Sequence, residues 1–160
     1  MRSPLRGRRA YIDTNVLVYV ALKHPVFYEG CYRVLRMLVD GEFEGYGSQL
    51  VLFELFGSLA RVEVRAAYEA ATQYLNLPLR LLSLDRVALT YAFELTRRAG
   101  VTYNAVHAGL VARNGLDVVV TEDLEDWGRI LRAWPALKRF GVGDVAVYSP
   151  TRGFLKGPGA

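Results

Sequence analysis

Between Asp117 and Thr121 the chain carries Val118, Val119 and Val120 without interruption. Successive side chains of a strand point to opposite faces, so an all-apolar run of this kind has to be buried on both sides. Strands of that type belong to parallel sheets covered on each face by helices, and the rest of the sequence is patterned to supply them. Ala10 to Ile12 is short, apolar and β-prone, so a first strand should end at Asp13, with a helix following from about Val16. Val26 to Val39 is amphipathic, with Val34, Leu35, Leu38 and Val39 on one side, and Gly41 ends it. Glu44 to Ser48 reads as a second strand, followed by helices over Gln49 to Arg65 and Glu63 to Leu75 whose join the pattern does not locate. Leu79 to Leu84 reads as an apolar strand, and Asp85 as the N-cap of a helix running to Arg98 and stopped by Gly100. Helices over Thr102 to Asn114 and Leu124 to Ala133 bracket the valine strand, and Val145 to Tyr148 is a last strand. Strands alternating with helices imply an α/β fold in three layers, a doubly wound, mostly parallel sheet flanked by helices. Ligands of such sheets sit beyond the C-terminal ends of the strands.

Composition narrows the class. With 160 residues, 52% hydrophobic and 22% charged, the chain has enough apolar material for one core, so residues 1–150 are expected to form a single domain, with a loose tail over 151–160. The single cysteine, Cys31, excludes an internal disulfide and a cysteine zinc cage, and fits a reduced, cytoplasmic setting. Arg2, Arg6, Arg8 and Arg9 imitate the basic start of a secretion signal, but Asp13 interrupts the apolar stretch after them. Glu54, Arg61 and Asp85 break every run that could approach the roughly 18 apolar residues of a membrane span, so no membrane partner is expected. A formal charge of +4 permits a nucleic-acid partner without requiring one.

Three carboxylates stand out against their surroundings. Asp13 lies between Tyr11-Ile12 and Val16-Leu17-Val18, where an ionised group needs compensation. Glu54 is the one acid in the apolar stretch Leu50 to Phe56, and Asp123 closes the Thr121-Glu122-Asp123 turn after the valine strand. Asp13 and Asp123 at strand ends, with Glu54 on an intervening helix, make an acidic cluster with no evident basic partner. Oxygen ligands of this kind suit Mg²⁺ or Mn²⁺. Thr14, Asn15 and Thr121 are placed to hydrogen-bond these carboxylates, and Asp126, one turn beyond Asp123, to complete the set. His107 is a further candidate toward a phosphate or metal, weighed against a structural role; His24 and Trp127 read as loop and core residues. Arg2 to Arg9, Arg61, Arg65, Arg129 and Arg132 are candidate contacts to an RNA backbone.

The same segments carry a family resemblance. Asp13-Thr14-Asn15-Val16-Leu17 resembles the D-T-N opening of PIN domains, Glu54 in Leu52-Phe53-Glu54-Leu55-Phe56-Gly57 resembles their helical glutamate, and Thr121-Glu122-Asp123 resembles their late T-x-D turn. Order and spacing fit from Ala10 to Tyr148. Tyr103-Asn104-Ala105-Val106-His107-Ala108 resembles the family's Asp-Ala-x-x-x-Ala segment, with Asn104 where the third metal-binding aspartate stands. The resemblance, closest to toxin ribonucleases of the VapC type, implies a Mg²⁺- or Mn²⁺-dependent endoribonuclease that dimerises and is neutralised by a small antitoxin. Asp13, Glu54, Asn104 and Asp123 would be its metal-binding and catalytic residues. Asn offers a carbonyl oxygen but no negative charge, so the alternative is a catalytically weakened or inactive PIN-like module that binds RNA or protein. A phosphoryl-transfer enzyme with an aspartate nucleophile would want a second acid where Asn15 stands. The nearly all-round apolar stretch Leu50 to Leu59 predicts a homodimer or a groove for a partner helix.

Overall fold

The valine run becomes a central strand. In the computed structural model, which describes residues 3–155, Val118, Val119 and Val120 are each fully buried. They form one of six strands: β1 (Arg9–Ile12), β2 (Glu44–Ser48), β3 (Leu79–Leu82), β4 (Val118–Val120), β5 (Ala146–Ser149) and β6 (Gly153–Phe154). The order across the sheet is β3-β2-β1-β4-β5-β6, all neighbours being parallel except β5 and β6. Chain order therefore runs outward in both directions from the β1–β4 pair. That pair is the switch point of a doubly wound sheet, where the crevice beyond the strand ends opens.

Seven α-helices flank the sheet: α1 (Thr14–Ala21), α2 (Tyr28–Val39), α3 (Gln49–Ala60), α4 (Val64–Asn76), α5 (Arg86–Ala99), α6 (Tyr103–Arg113) and α7 (Leu124–Ala133), the last running into a short 3₁₀ helix, Trp134–Phe140. They pack in two groups, α1 to α4 and α5 to α7 with the 3₁₀ helix. The caps follow from chemistry. The Asp85 carboxylate accepts from the amide of Ala88, and Gly100 takes the left-handed conformation, φ 69°, that ends α5. Gly109 lets α6 approach α5, since a Cβ there would collide with the carbonyl oxygen of Ala88. Cys31 is fully buried, and burial pushes its thiol up to about 12, leaving it a packing residue. No helix of the described residues is long and apolar enough to cross a membrane.

Two expectations need adjustment, and two stretches that the pattern leaves open take definite form. Helices α3 and α4 are separated at Arg61–Glu63, where the Glu63 carboxylate caps α4 by accepting from the amides of Arg65 and Ala66. Strand β3 stops at Leu82 and is only partly buried, because it lies at the sheet edge. Trp134–Phe140, for which the sequence pattern assigns no element, continues α7 as a tighter helix. The tail expected to be loose from Thr151 instead turns back through Gly153, φ 82°, and adds β6 against β5; residues 156–160, like Arg2, lie outside the described residues.

Candidate metal centre at the switch point

Asp13 follows β1 and Asp123 follows β4, so the switch point sets both at the same end of the sheet. Asp13 caps α1 and is 3% exposed. Its Oδ1 accepts from the amide of Thr14 at 2.8 Å. Its Oδ2 accepts from the Asn15 amide at 3.2 Å, the Thr121 hydroxyl at 2.9 Å and the Trp127 indole N–H at 3.1 Å. All four donors are neutral, so the carboxylate is fixed without being neutralised. Asn15 spans the switch point: it also donates to Thr121 Oγ1 at 3.0 Å and accepts from the amide of Glu122 at 3.0 Å. Thr121 Oγ1 in turn accepts from the amide of Asp123. Thr14, Asn15 and Thr121 thus orient the two acids that flank them.

Glu54 arrives from α3. Its Oε1 accepts from Thr14 Oγ1 at 2.8 Å and meets His107 Nε2 at 2.6 Å. His107, 2% exposed on α6, is held from behind by the Tyr11 hydroxyl at 2.6 Å from Nδ1, and Tyr11 is bonded to Ser48 at 2.8 Å. A polar chain therefore runs under the site from Ser48 through Tyr11 and His107 to Glu54. Burial works against the charged form of His107, but the hydrogen bond to Glu54 and the charges of Asp13 and Glu54 outweigh it and raise its pKa above 6.5. Burial likewise opposes the charge on Glu54, and the His107 and Thr14 bonds overcome it and lower its pKa.

Asn104, at the start of α6, donates its amide to Asp123 Oδ2 at 2.9 Å and to Asp126 Oδ2 at 3.1 Å. It separates two carboxylates that would otherwise face each other. Asp123 Oδ1 caps α7 through the amide of Asp126. Burial raises the pKa of Asp123, and the negative charges of Asp126 and Asp13 raise it further, against the bonds from the Asp126 amide and Asn104. The cluster is thus short of positive charge.

Asp13, Thr14, Asn15, Glu54 and Asn104 line one cavity of about 300 Å³. Asp123 was expected in the same pocket. It lines the adjoining cavity of about 320 Å³ instead, because its capping bond holds it at the start of α7 and Asn104 stands between. His107 and Trp127 are more closely tied to the acids than their sequence context conveys. A buried imidazole or indole N–H needs an acceptor, and each finds a carboxylate.

The donor set is all oxygen and hard, which suits Mg²⁺ or Mn²⁺. Among the described residues no three His, Cys, Asp or Glu side chains are close enough to hold an ion as they stand. The gap is at Asn104: its amide nitrogen now holds Asp123 and Asp126, and those carboxylates become free for a cation only when the amide leaves them, its carbonyl oxygen being the one ligand it can offer. The residues fit such a cation in chemistry and place, with Asn104 the one that must move.

Comparison with known proteins bears on the family and the fold. Residues 10–130 match the model of the PIN domain family. The fold resembles solved chains of VapBC from Salmonella typhimurium bound to DNA (TM-score 0.64, 18% identity, 89% of this chain and 98% of that one) and of VapBC2 from Rickettsia felis bound to a promoter DNA fragment (TM-score 0.61, 18% identity, 88% and 98%). It also resembles a chain of a toxin–antitoxin complex from Klebsiella pneumoniae (TM-score 0.56, 12% identity, 74% and 89%). No curated protein matches the sequence. With a domain model matched over most of its length, the chain belongs to the PIN domain family.

Proposed function

We propose that the chain is a divalent-cation-dependent endoribonuclease of the VapC type, the toxin of a toxin–antitoxin pair acting in the cytoplasm. The supporting observation is that Asp13, Glu54 and Asn104 line one cavity at the β1–β4 switch point with Asp123 bonded to Asn104 beside it, and that among the described residues His107, at Glu54, is the one basic partner of these acids. Asp13 holds its carboxylate in a fixed direction through its four neutral donors. Glu54 stays ionised because Thr14 and His107 bind Oε1, which leaves Oε2 for the cavity. His107 keeps a proton on Nε2 toward Glu54, and Asn104 sets the spacing of Asp123 and Asp126. Mg²⁺ or Mn²⁺ held by these oxygens would supply the charge that activates a water and offsets negative charge developing on the RNA phosphate. No protein nucleophile is needed.

Antitoxin pairing is supported by the solved relatives, which are toxin–antitoxin complexes. An apolar surface is open for a partner: Phe53 on α3 is 79% exposed, and Phe56 on α3 and Val64 and Tyr68 on α4 are also exposed. We assign this face to a homodimer. Sedimentation should give a dimer for the parent chain and a monomer for Phe53→Glu; a parent monomer at tens of micromolar removes the dimer.

The second reading, a PIN-like module without catalysis, is favoured by one observation: the Asn104 amide already bridges the acids that a cation would join. Asn104→Asp separates the two. It places three carboxylates at positions 104, 123 and 126 with no donor between them, so the variant should be less stable in EDTA and gain more thermal stability from Mn²⁺ than the parent. RNA cleavage should rise about 10- to 100-fold, the scale of a disturbed ligand shell, and Asp13→Asn in that background should abolish it. A variant that gains no more from Mn²⁺ than the parent and leaves RNA intact gives the binding module the lead.

The Glu54–His107 pair makes a pH-dependent prediction in metal-free buffer. His107, with its pKa raised above 6.5, contributes stability that is complete below 6.5 and lost as pH rises through the raised value; Glu54, with its pKa lowered, contributes stability present above 4.5 and lost as pH falls through the lowered value. The pair should therefore stabilise most between those two values. Glu54→Gln should cost about 1 kcal/mol there, Glu54 being partly screened by water, and less near pH 9. Its His107 resonances should titrate lower than the parent's. A cost independent of pH contradicts the ion pair.

A further inference from the structure

Away from the acidic cavity, Arg98 at the end of α5 and Arg129 and Arg132 on α7 line a cleft of about 750 Å³, with Ala133, Pro135 and Ala136 against them. It is more than twice the size of the cavity over Asp13. Its short apolar lining leaves the guanidinium groups exposed. The surrounding charge is unbalanced. Glu94 alone answers Arg97 at 3.0 Å, Arg98 at 3.4 Å and Arg139 at 3.0 Å, and Glu125 answers Arg129 at 3.3 Å. Among the described residues, Arg132 has no carboxylate within 4 Å. Five arginines thus face two carboxylates. Two of the arginines lie over open aromatic rings: Arg97 is 5.8 Å from the ring centre of Phe93, and Arg139 is 4.7 Å from that of Phe140.

We propose that this cleft is a phosphate-binding track for single-stranded RNA leading to the acidic cavity, an inference that rests on the nuclease reading. Its place supports this. Arg129 follows Asp126 by three residues on α7, about 4.5 Å along the axis, and Asp126 is bonded to Asn104 at the edge of the acidic site. A strand whose phosphates lie along Arg132, Arg129 and Arg98 is thereby carried toward the carboxylates, which would repel it without the arginines. Arginine pairs with phosphate oxygens through its planar fork, and the exposed rings of Phe93 and Phe140, beside Arg97 and Arg139 and outside the cleft's lining, offer faces on which bases stack without regard to sequence. An acidic protein segment would use the guanidinium groups and leave the rings without a role.

The test is fluorescence anisotropy of a short labelled single-stranded RNA in EDTA across a salt series, with the parent, Arg132→Glu, Arg132→Gln and, as a control on α2, Arg36→Glu. Arg132 and Arg36 are both exposed, and neither is in an ion pair among the described residues. Arg132→Glu should weaken binding about tenfold at low salt and reduce the slope of log Kd against log salt by about 0.7 or more, with Arg132→Gln between it and the parent and Arg36→Glu unchanged. Equal weakening by Arg36→Glu, no effect at Arg132, or displacement of the RNA by polyglutamate at matched charge overturns the track, the last in favour of an acidic protein. Mn²⁺-dependent cleavage by the parent is read separately. If cleavage occurs while Arg132 is silent in binding, the track alone falls; if Arg132 governs binding and no variant cleaves, the nuclease reading falls and the RNA track stands.

Discussion

Asp13 is an ionisable group 3% exposed at the end of a buried strand, and among the described residues it makes no salt bridge. Burying a carboxylate in this way is tolerable only because donors from three elements converge on it: Thr14 and Asn15 from the start of α1, Thr121 after β4, and Trp127 inside α7. Those donors fix how β1 and β4 end relative to each other. They also fix where α7 starts, which places Asp123, and the position of Thr14, which receives Glu54. The sheet order makes the arrangement possible, since only adjacent parallel strands with connections leaving in opposite directions leave a crevice between their ends.

Much of this was legible in the sequence, and the reasons are local. Three consecutive valines announce a strand buried on both faces, and an aspartate after each of two central strands must come to the same sheet end. Asp85 and Gly100 mark the ends of α5 because capping is a property of single residues. What was not legible depends on neighbours distant in sequence. The break between α3 and α4 occurs in a stretch whose propensity suits either helix, and it is settled by Glu63 turning its carboxylate onto the next two amides. Strand β6 is two residues long, too short to show alternation, and exists because β5 offers an open edge. His107 reads as a candidate toward a phosphate or metal against a structural role, and Trp127 as a core residue; their attachment to Glu54 and Asp13 arises only when α6 and α7 pack over the strand ends.

Asn104 concentrates the functional question. Its amide satisfies Asp123 and Asp126 by donation, while a fourth carboxylate would have left three acids in mutual repulsion until a cation arrived. The donated amide holds the cluster together as it stands, while burial first, and then the neighbouring charges of Asp126 and Asp13, raise the pKa of Asp123. Whether the amide turns to offer its oxygen decides between a nuclease and a binding module on the same scaffold.

The most direct measurement is anomalous diffraction from a crystal soaked in Mn²⁺. The account predicts a peak between Asp13 and Asp123, within ligand distance of both carboxylates, with the Asn104 carbonyl oxygen turned toward it. Clear density for all four side chains, the Asn104 amide still bridging Asp123 and Asp126, and no anomalous peak at saturating Mn²⁺ would contradict it.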